Sequence, residues 1–440
     1  MNDGHSAAIA RLREALHPTA FVDDTHLRGY GVHGRKPQCV VFPVQTEALR
    51  RCLEISNELG LAVLPTGIGA RMRLGAPPQR YDVSLCTRDL GRILSHEAAD
   101  MTVTVEAGCP LTTLNGTLAR AGQWVPIDPP LPERTTVGGL IATDASGPLR
   151  LSQGKVRDLL IGIRVVLADG RSIHGGGRVV KNVAGYDLMK LFTGSLGTLG
   201  VIAEATFKVR PRPAQTSLLI LDAADGRSAA DCVGEVLSAA LDPLYVELVN
   251  ATAGAAIGLN GGSWHVLVGL GGSAEEMAVQ QDRLRRLAGE RACRALDRAE
   301  TARLYTAVRD WPEVSSAAAN VCGAAISILP SRLGELIAAV EPLGDDSPPV
   351  ALAALAGNGA VYVRRPGAGN EAADSRWLER VRDLAHKTGG FARFDTMPPS
   401  LSTTIDPWGT EIPGLSLMRG IKRALDPQGI LSPGRFAGGN

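Results

Sequence analysis

Two rhythms of apolar positions divide the chain. After Cys39 it reads VVFPVQTEALRRCLEISNELGLAVLPTG, an apolar run, then Leu49, Leu53, Ile55 and Leu59 near helical spacing, then a second apolar run. This predicts a strand, a helix with Thr46 as N-cap and Gly60 at its end, and another strand. An amphipathic helix precedes it over Ala7 to Leu16. From Asp82 to Gly170 short strand-like runs such as MTVTVEAG and LIGIRVVLADG are broken by glycine and proline, and Ala168 to Gly170 reads as a hairpin turn. Beyond RPRP at 210–213 the rhythm changes. LLILDAAD, DCVGEVLSAAL, PLYVELVN, WHVLVGLGG and AEEMAVQQDRLRRLAGE alternate strand and helix patterns, predicting a second α/β domain with helices on one face of a sheet.

At 440 residues and 45% hydrophobic content the chain has material for two or three packed domains. A net charge of +1 with scattered Lys and Arg argues against nucleic acid or an acidic membrane surface as partner. No window holds about 18 uninterrupted apolar residues, and the first residues carry Asp3 and no apolar core of a secretory signal. A cytoplasmic protein is expected, with any inner-membrane contact made through partners. The seven cysteines, Cys39, Cys52, Cys86, Cys109, Cys232, Cys293 and Cys322, contain no C-x-x-C pair. Their spacing favours reduced, buried thiols over an iron–sulfur or zinc site. The eight histidines are dispersed, and not even the closest pair, His26 and His33, suggests a ligand set, so no metal is expected.

The chemistry lies in the glycines. KNVAGYDLMKLFTGSLGTLGVIAEAT, residues 181–206, places Gly185, Gly194, Gly197 and Gly200 where left-handed angles or close backbone approach are needed, and runs into a strand. In LPTGIGAR, residues 64–71, Gly67 and Gly69 leave the amides of Thr66 to Ala70 free to converge on an anion. VEAG at 105–108, PIDPP at 126–130 and TTVGGLIATDASG at 135–147 supply further tight turns.

In this order the motifs resemble the flavoproteins that share their FAD-binding domain with vanillyl-alcohol oxidase and p-cresol methylhydroxylase (PCMH). The resemblance implies an α+β fold: a two-subdomain PCMH-type FAD-binding domain over 35–213 after a helical segment at 1–34, an α/β cap domain over 214–395, and a segment over 396–440 that returns to the FAD domain. It implies that backbone atoms of Thr66, Gly67, Ile68, Gly69 and Ala70 hold the pyrophosphate of FAD, with the flanking Pro65 and Arg71 also at the cofactor. Asp128, Pro129, Thr135, Thr136, Gly138, Gly139, Asp144, Ala145, Ser146, Gly147 and Gly197 would line the cofactor, and Val201 and Ile202 would meet its adenine end. Arg71, Lys155, Lys181 and Tyr186 could bring charge or donors towards phosphates or isoalloxazine. Ala70 and Arg71 stand where relatives with covalent flavin use a histidine, so the FAD is expected to be noncovalent.

Departures from the family pattern narrow the reading. Catalytic D-2-hydroxyacid dehydrogenases of this group carry H-x-G-D-x-N-x-H and E-H-G-[IV]-G. Here LAGNGAVYV, residues 355–363, puts Ala356 and Val361 or their neighbours where imidazoles belong, residues 400–419 hold no Glu-His pair, and Leu196 replaces a glutamate in GSLGTLG. Together with the ending DPQGILSPGRF, these features resemble the E-subunit type of bacterial glycolate oxidase. That implies an FAD-binding subunit of a glycolate dehydrogenase complex that oxidises glycolate and D-lactate to the 2-oxo acid. A sister flavoprotein would take the hydride and an iron–sulfur subunit would pass electrons towards quinone. The alternatives are a self-sufficient FAD-dependent 2-hydroxy acid or alcohol dehydrogenase and a cofactor-free structural subunit. For the first of these, Asp395, Asp406, Glu411, Arg364 and Arg365 are candidates for a relocated site, and no catalytic residue is assigned.

Overall fold

The strand, helix and strand that follow Cys39 form the edge of a three-stranded parallel sheet in which Val83–Cys86 lies between Cys39–Val41 and Val63–Thr66. This is a computed structural model, and it describes residues 3–16, 20–21, 24–177, 186–259, 264–317, 320–344 and 349–440. The helix Thr46–Glu58 buries Leu49, Cys52, Leu53 and Ile55 against that sheet. Gln45 precedes it in extended backbone with no side-chain cap, so Thr46 is the first helical residue and not the N-cap. The N-terminal helix runs over Asp3–Ala15.

A second sheet of five antiparallel strands completes the first domain, ordered Ile93–Glu97, Thr102–Glu106, Val201–Lys208, Leu160–Val166, Ser172–Gly176. Its last two strands meet through the expected turn, where Gly170 takes a left-handed φ of 81°. The strand Val201–Lys208 carries the chain out of the 194–200 turn between Thr102–Glu106 and Leu160–Val166, so the glycine-rich turns of both sheets face one another.

The cap is an eight-stranded sheet in which every neighbouring pair is antiparallel. Its strands read as continuous apolar runs because both faces are covered. Leu219 and Leu221 pack with the helices Gly226–Ser238, Ala274–Ala288, Leu333–Val340 and Glu371–Lys387. Leu218 and Ile220 point the other way, towards the helices Ala251–Ala256 and Arg298–Val314 and Leu149 of the first domain. Helices therefore occupy both faces, with the larger layer on one. The chain then returns: Ile430 and Leu431 enter the core of the three-stranded sheet, where Leu431 bridges Val63.

Candidate functional site

The strand Val63–Thr66 ends in the predicted turn, and the protein draws the carbonyls of that turn inward. Thr87 Oγ1 donates to the Thr66 carbonyl at 3.2 Å and Cys86 Sγ to that of Gly67 at 3.1 Å. The amides of Gly67, Ile68, Gly69 and Ala70 donate to no group of the protein. Gly69 takes a φ of 81°. A Cβ on Gly67 would lie 2.2 Å from Thr136 Oγ1, so the two loops touch backbone to side chain.

Opposite this turn stands the short helix Val137–Thr143. Its amides are committed: Gly138 donates to the Ala107 carbonyl at 2.7 Å and Gly139 to Thr136 Oγ1 at 3.2 Å. The amides of Thr135, Gly138 and Gly139 are thus spent within the protein, and these residues offer a close, small-residue wall. Gly197, Val201 and Ile202 form the third wall of an open groove. A groove with a row of unpartnered amides on one side and close-packed small residues on the other suits a diphosphate-linked dinucleotide, so the residues present fit FAD.

The groove opens past Arg71, Leu74, Thr143 and Leu196 into a second cavity of about 380 Å³ between the two domains. Arg71 is the hinge of the two spaces. Its guanidinium donates to Thr135 Oγ1 at 3.2 Å and the Pro130 carbonyl at 2.6 Å, and lies 3.3 Å from Glu313 of the cap. Burial lowers the Arg71 pKa and raises that of Glu313, each opposed by the charge of the other. Lys155 pairs with Asp144 at 3.5 Å, and Ala145 and Ser146 line the same wall. From the cap, Arg364 anchors Asp395 at 2.6 Å, while Asp395 Oδ1 is buried with no hydrogen-bond partner.

Leu196 takes a left-handed φ of 53° and Asp144 one of 47°, an uncommon choice for side chains other than glycine. Both line the second cavity. The Leu196 amide donates to the Ala142 carbonyl and Ser432 Oγ to the Leu196 carbonyl, holding the turn against the C-terminal segment.

Three predicted residues stand elsewhere. Asp128, Pro129 and Gly147 line neither cavity. The Asp128 carboxylate accepts from the Leu149 amide at 3.0 Å and the Tyr305 hydroxyl at 2.6 Å, tying the first domain to the cap. Gly147 packs on the Asp128 carbonyl so closely that a Cβ would lie 2.0 Å from it. Tyr186 is 93% exposed and lines neither cavity, and Lys181 and Gly185 lie outside the described residues. Arg365 pairs with Asp374 away from the cavity, Asp406 accepts from the Trp408 amide, and Glu411 lies on the surface.

Sequence reasoning missed Arg150, Glu313, Tyr362 and Arg393, which the fold brings to the second cavity. It also assigned no role to Arg435, buried under the groove, which donates to the carbonyls of Met72, Leu74 and Ala76. The signal for Arg435 was its place in the C-terminal PGRF. At the two imidazole places, Ala356 is in the cap core and Tyr362, the neighbour of Val361, faces the cavity. Among the described residues no three His, Cys, Asp or Glu side chains converge as metal donors. None of the seven cysteines forms a disulfide, and six are buried.

Residues 37–176 match the FAD binding domain, and residues 212–392 and 410–436 match the C-terminal domain of FAD linked oxidases. The chain is 40% identical to glycolate oxidase subunit GlcE of Escherichia coli, over 36% of this chain and 45% of that protein. It is 33% identical to glycolate oxidase subunit GlcD of Bacillus subtilis, over 49% of this chain and 46% of the relative. A D-lactate dehydrogenase of Archaeoglobus fulgidus is 34% identical over 49% and 48%. The chain spans about half the length of the curated relatives it matches. Among solved structures, p-cresol methylhydroxylase superposes with a TM-score of 0.78 at 16% identity, over 99% of this chain and 97% of that one. No helix among the described residues is long and apolar enough to cross a membrane.

Proposed function

This chain joins an FAD binding domain to the C-terminal domain of FAD linked oxidases on a PCMH-type fold, and from that premise we propose that it is the FAD-binding subunit of a 2-hydroxy acid dehydrogenase assembly that oxidises glycolate or D-lactate in this chain's own inter-domain cavity. The observation that carries this reading is the cavity itself: it opens from the cofactor groove and is lined by Arg71, Arg150, Lys155 and Arg393. Such a chamber attracts a small carboxylate and keeps it beside the cofactor.

The amides of Gly67 to Ala70 would hold the pyrophosphate, the small residues 135–139 would let the cofactor approach the backbone, and Val201 and Ile202 would meet its adenine end. Bound noncovalently, FAD supplies the hydride acceptor. The cap is tied to the first domain beside the chamber by the contacts of Glu313 with Arg71 and of Tyr305 with Asp128. A sister flavoprotein and an iron–sulfur subunit complete the assembly and lead electrons towards quinone. The similarity to two different glycolate oxidase subunits supports a multi-subunit assembly.

The second reading is an accessory role, in which the sister subunit oxidises the substrate. Ala356 and Tyr362, in places where the resembled enzymes carry imidazoles, favour it. An anaerobic visible spectrum of the purified chain, before and after adding glycolate and D-lactate, separates the two. Bleaching of the flavin band supports oxidation in this chain. A band that persists overturns it in favour of the accessory role, and a preparation that binds no FAD overturns both.

A further inference from the structure

Two guanidinium groups line the inter-domain cavity with no carboxylate in direct contact among the described residues, and Arg393 lies within electrostatic reach of Glu313. Arg150 opens the helix Arg150–Gln153 of the first domain, and Arg393 stands on the cap strand Phe391–Thr396. Neither makes an ion pair, and Arg393 Nε is buried without a hydrogen-bond partner, its guanidinium 5.5 Å from the Trp408 ring. The other cations of this cavity are engaged: Arg71 with Glu313, Lys155 with Asp144, and Arg73 with the Ser316 carbonyl at 2.7 Å.

Tyr362 lines the same cavity. Strand register sets both Tyr362 and Arg393 opposite Ala325, on the same face of the cap sheet and on either side of that small residue. The Tyr362 hydroxyl makes no hydrogen bond within the protein. Burial pushes its pKa up, aided by Asp395, while Arg393, Arg364 and, most weakly, Arg150 pull it down, so that Arg393 and Arg150 are both within electrostatic reach of the phenol. Two residues beyond Arg393 on the same strand, Asp395 presents the unpartnered Oδ1 while Arg364 fixes Oδ2.

We propose that Arg150, Tyr362 and Arg393 form a carboxylate subsite closed by both domains, and that Asp395 Oδ1 accepts the hydrogen bond of a hydroxyl on the adjacent carbon. The subsite therefore selects small 2-hydroxy monocarboxylates over neutral alcohols. This deepens the function proposed above and rests on it for the identity of the ligand. Two charge-assisted donors from opposite walls also make binding and domain closure one event.

The test uses the FAD-loaded protein and 2-hydroxy-2-methylpropanoate, which carries both groups but has no hydrogen to give up from its α-carbon. Its dissociation constant is read by calorimetry and by perturbation of the flavin band. The acid should bind at least about tenfold more tightly than 2-hydroxy-2-methylpropanamide, and Arg150→Met and Arg393→Met should each weaken it by about tenfold or more. Arg393→Lys should recover part of the loss, which separates charge from folding. Asp395→Asn should weaken the hydroxy acid but not 2-methylpropanoate. Equal affinity for acid and amide, or unchanged affinity in both arginine variants at full flavin content, overturns the subsite. If the probe binds through these residues yet glycolate and D-lactate leave the flavin oxidised, the subsite stands and the oxidation reading falls. If they bleach the flavin while Arg150→Met and Arg393→Met bind the probe as the parent does, the reading stands and the subsite falls.

Discussion

Lys422 Nζ donates to the carbonyl of Thr198 at 2.8 Å, across 224 residues of chain. The same ammonium reaches the Leu431 carbonyl at 2.8 Å and Asp426 at 2.6 Å, and Asp426 in turn accepts from the amides of Ile430 and Leu431. One buried ion pair thus fastens the turn before Val201 to the returning C-terminal segment. Removing the cation leaves Asp426 buried and unpaired, a change that costs about 3–5 kcal/mol. Lys422→Ala should lose stability of that order in denaturant unfolding and retain less FAD after gel filtration. A variant with unchanged unfolding midpoint and flavin content would show that the groove does not depend on this clamp.

Gly67→Ala tests the groove. The added methyl meets Thr136 Oγ1, which can yield only by leaving the amide of Gly139. Overpacking of this kind costs about 1–3 kcal/mol, and it falls where the cofactor would lie. The ratio of flavin to protein absorbance after desalting should drop about tenfold at limiting FAD. Gly116→Ala serves as control: it lies inside the helix Leu111–Leu118, its added Cβ meets nothing within 4 Å, and it should stabilise by up to about 1 kcal/mol without changing FAD content. Equal FAD retention by both variants would remove Gly67 from the binding surface.

Noncovalent attachment has its own readout. Ala70 carries no nucleophile, and Arg71 is occupied by Thr135, Pro130 and Glu313. Acid precipitation should release all the flavin into the supernatant, and a yellow, fluorescent pellet would refute it.

The groove was legible because its demands fall on contiguous backbone. Gly67, Gly69, Gly138 and Gly197 announce close approach or left-handed angles wherever they stand. The second cavity was not. Tyr362 sits in the apolar run AVYV, and only strand register decides that it faces the cavity while Val363 enters the cap core. Arg150 and Arg393 lie on opposite walls, so no local spacing links them. The contact of Asp128 is hidden for a related reason: a DP turn reads alike whether its carboxylate meets a ligand or Tyr305, which follows 177 residues later. Thr46 was misread by one position, within the fraying of any helix end.

That same Asp128 makes a pH prediction. Burial raises its pKa from 3.8 to about 6, against the opposing hydrogen bonds of Tyr305 and the Leu149 amide. Between those values the folded protein holds a proton that the unfolded chain releases. The contribution of Asp128 to stability is therefore highest below the lower value and declines as pH rises through the upper one, by about 3 kcal/mol in all at 1.36 kcal/mol per pH unit. Asp128→Asn carries no such proton. The unfolding free energy of the parent minus that of the variant should fall by about this amount from about pH 4 to about pH 7. Glu247, buried beside Asp128 with its pKa raised mainly by burial and partly by that neighbour, is present in both proteins. A difference that stays flat over the range would mean that the Asp128 carboxylate is ionised throughout, and that its contact with Tyr305 holds the two domains as a charged bond.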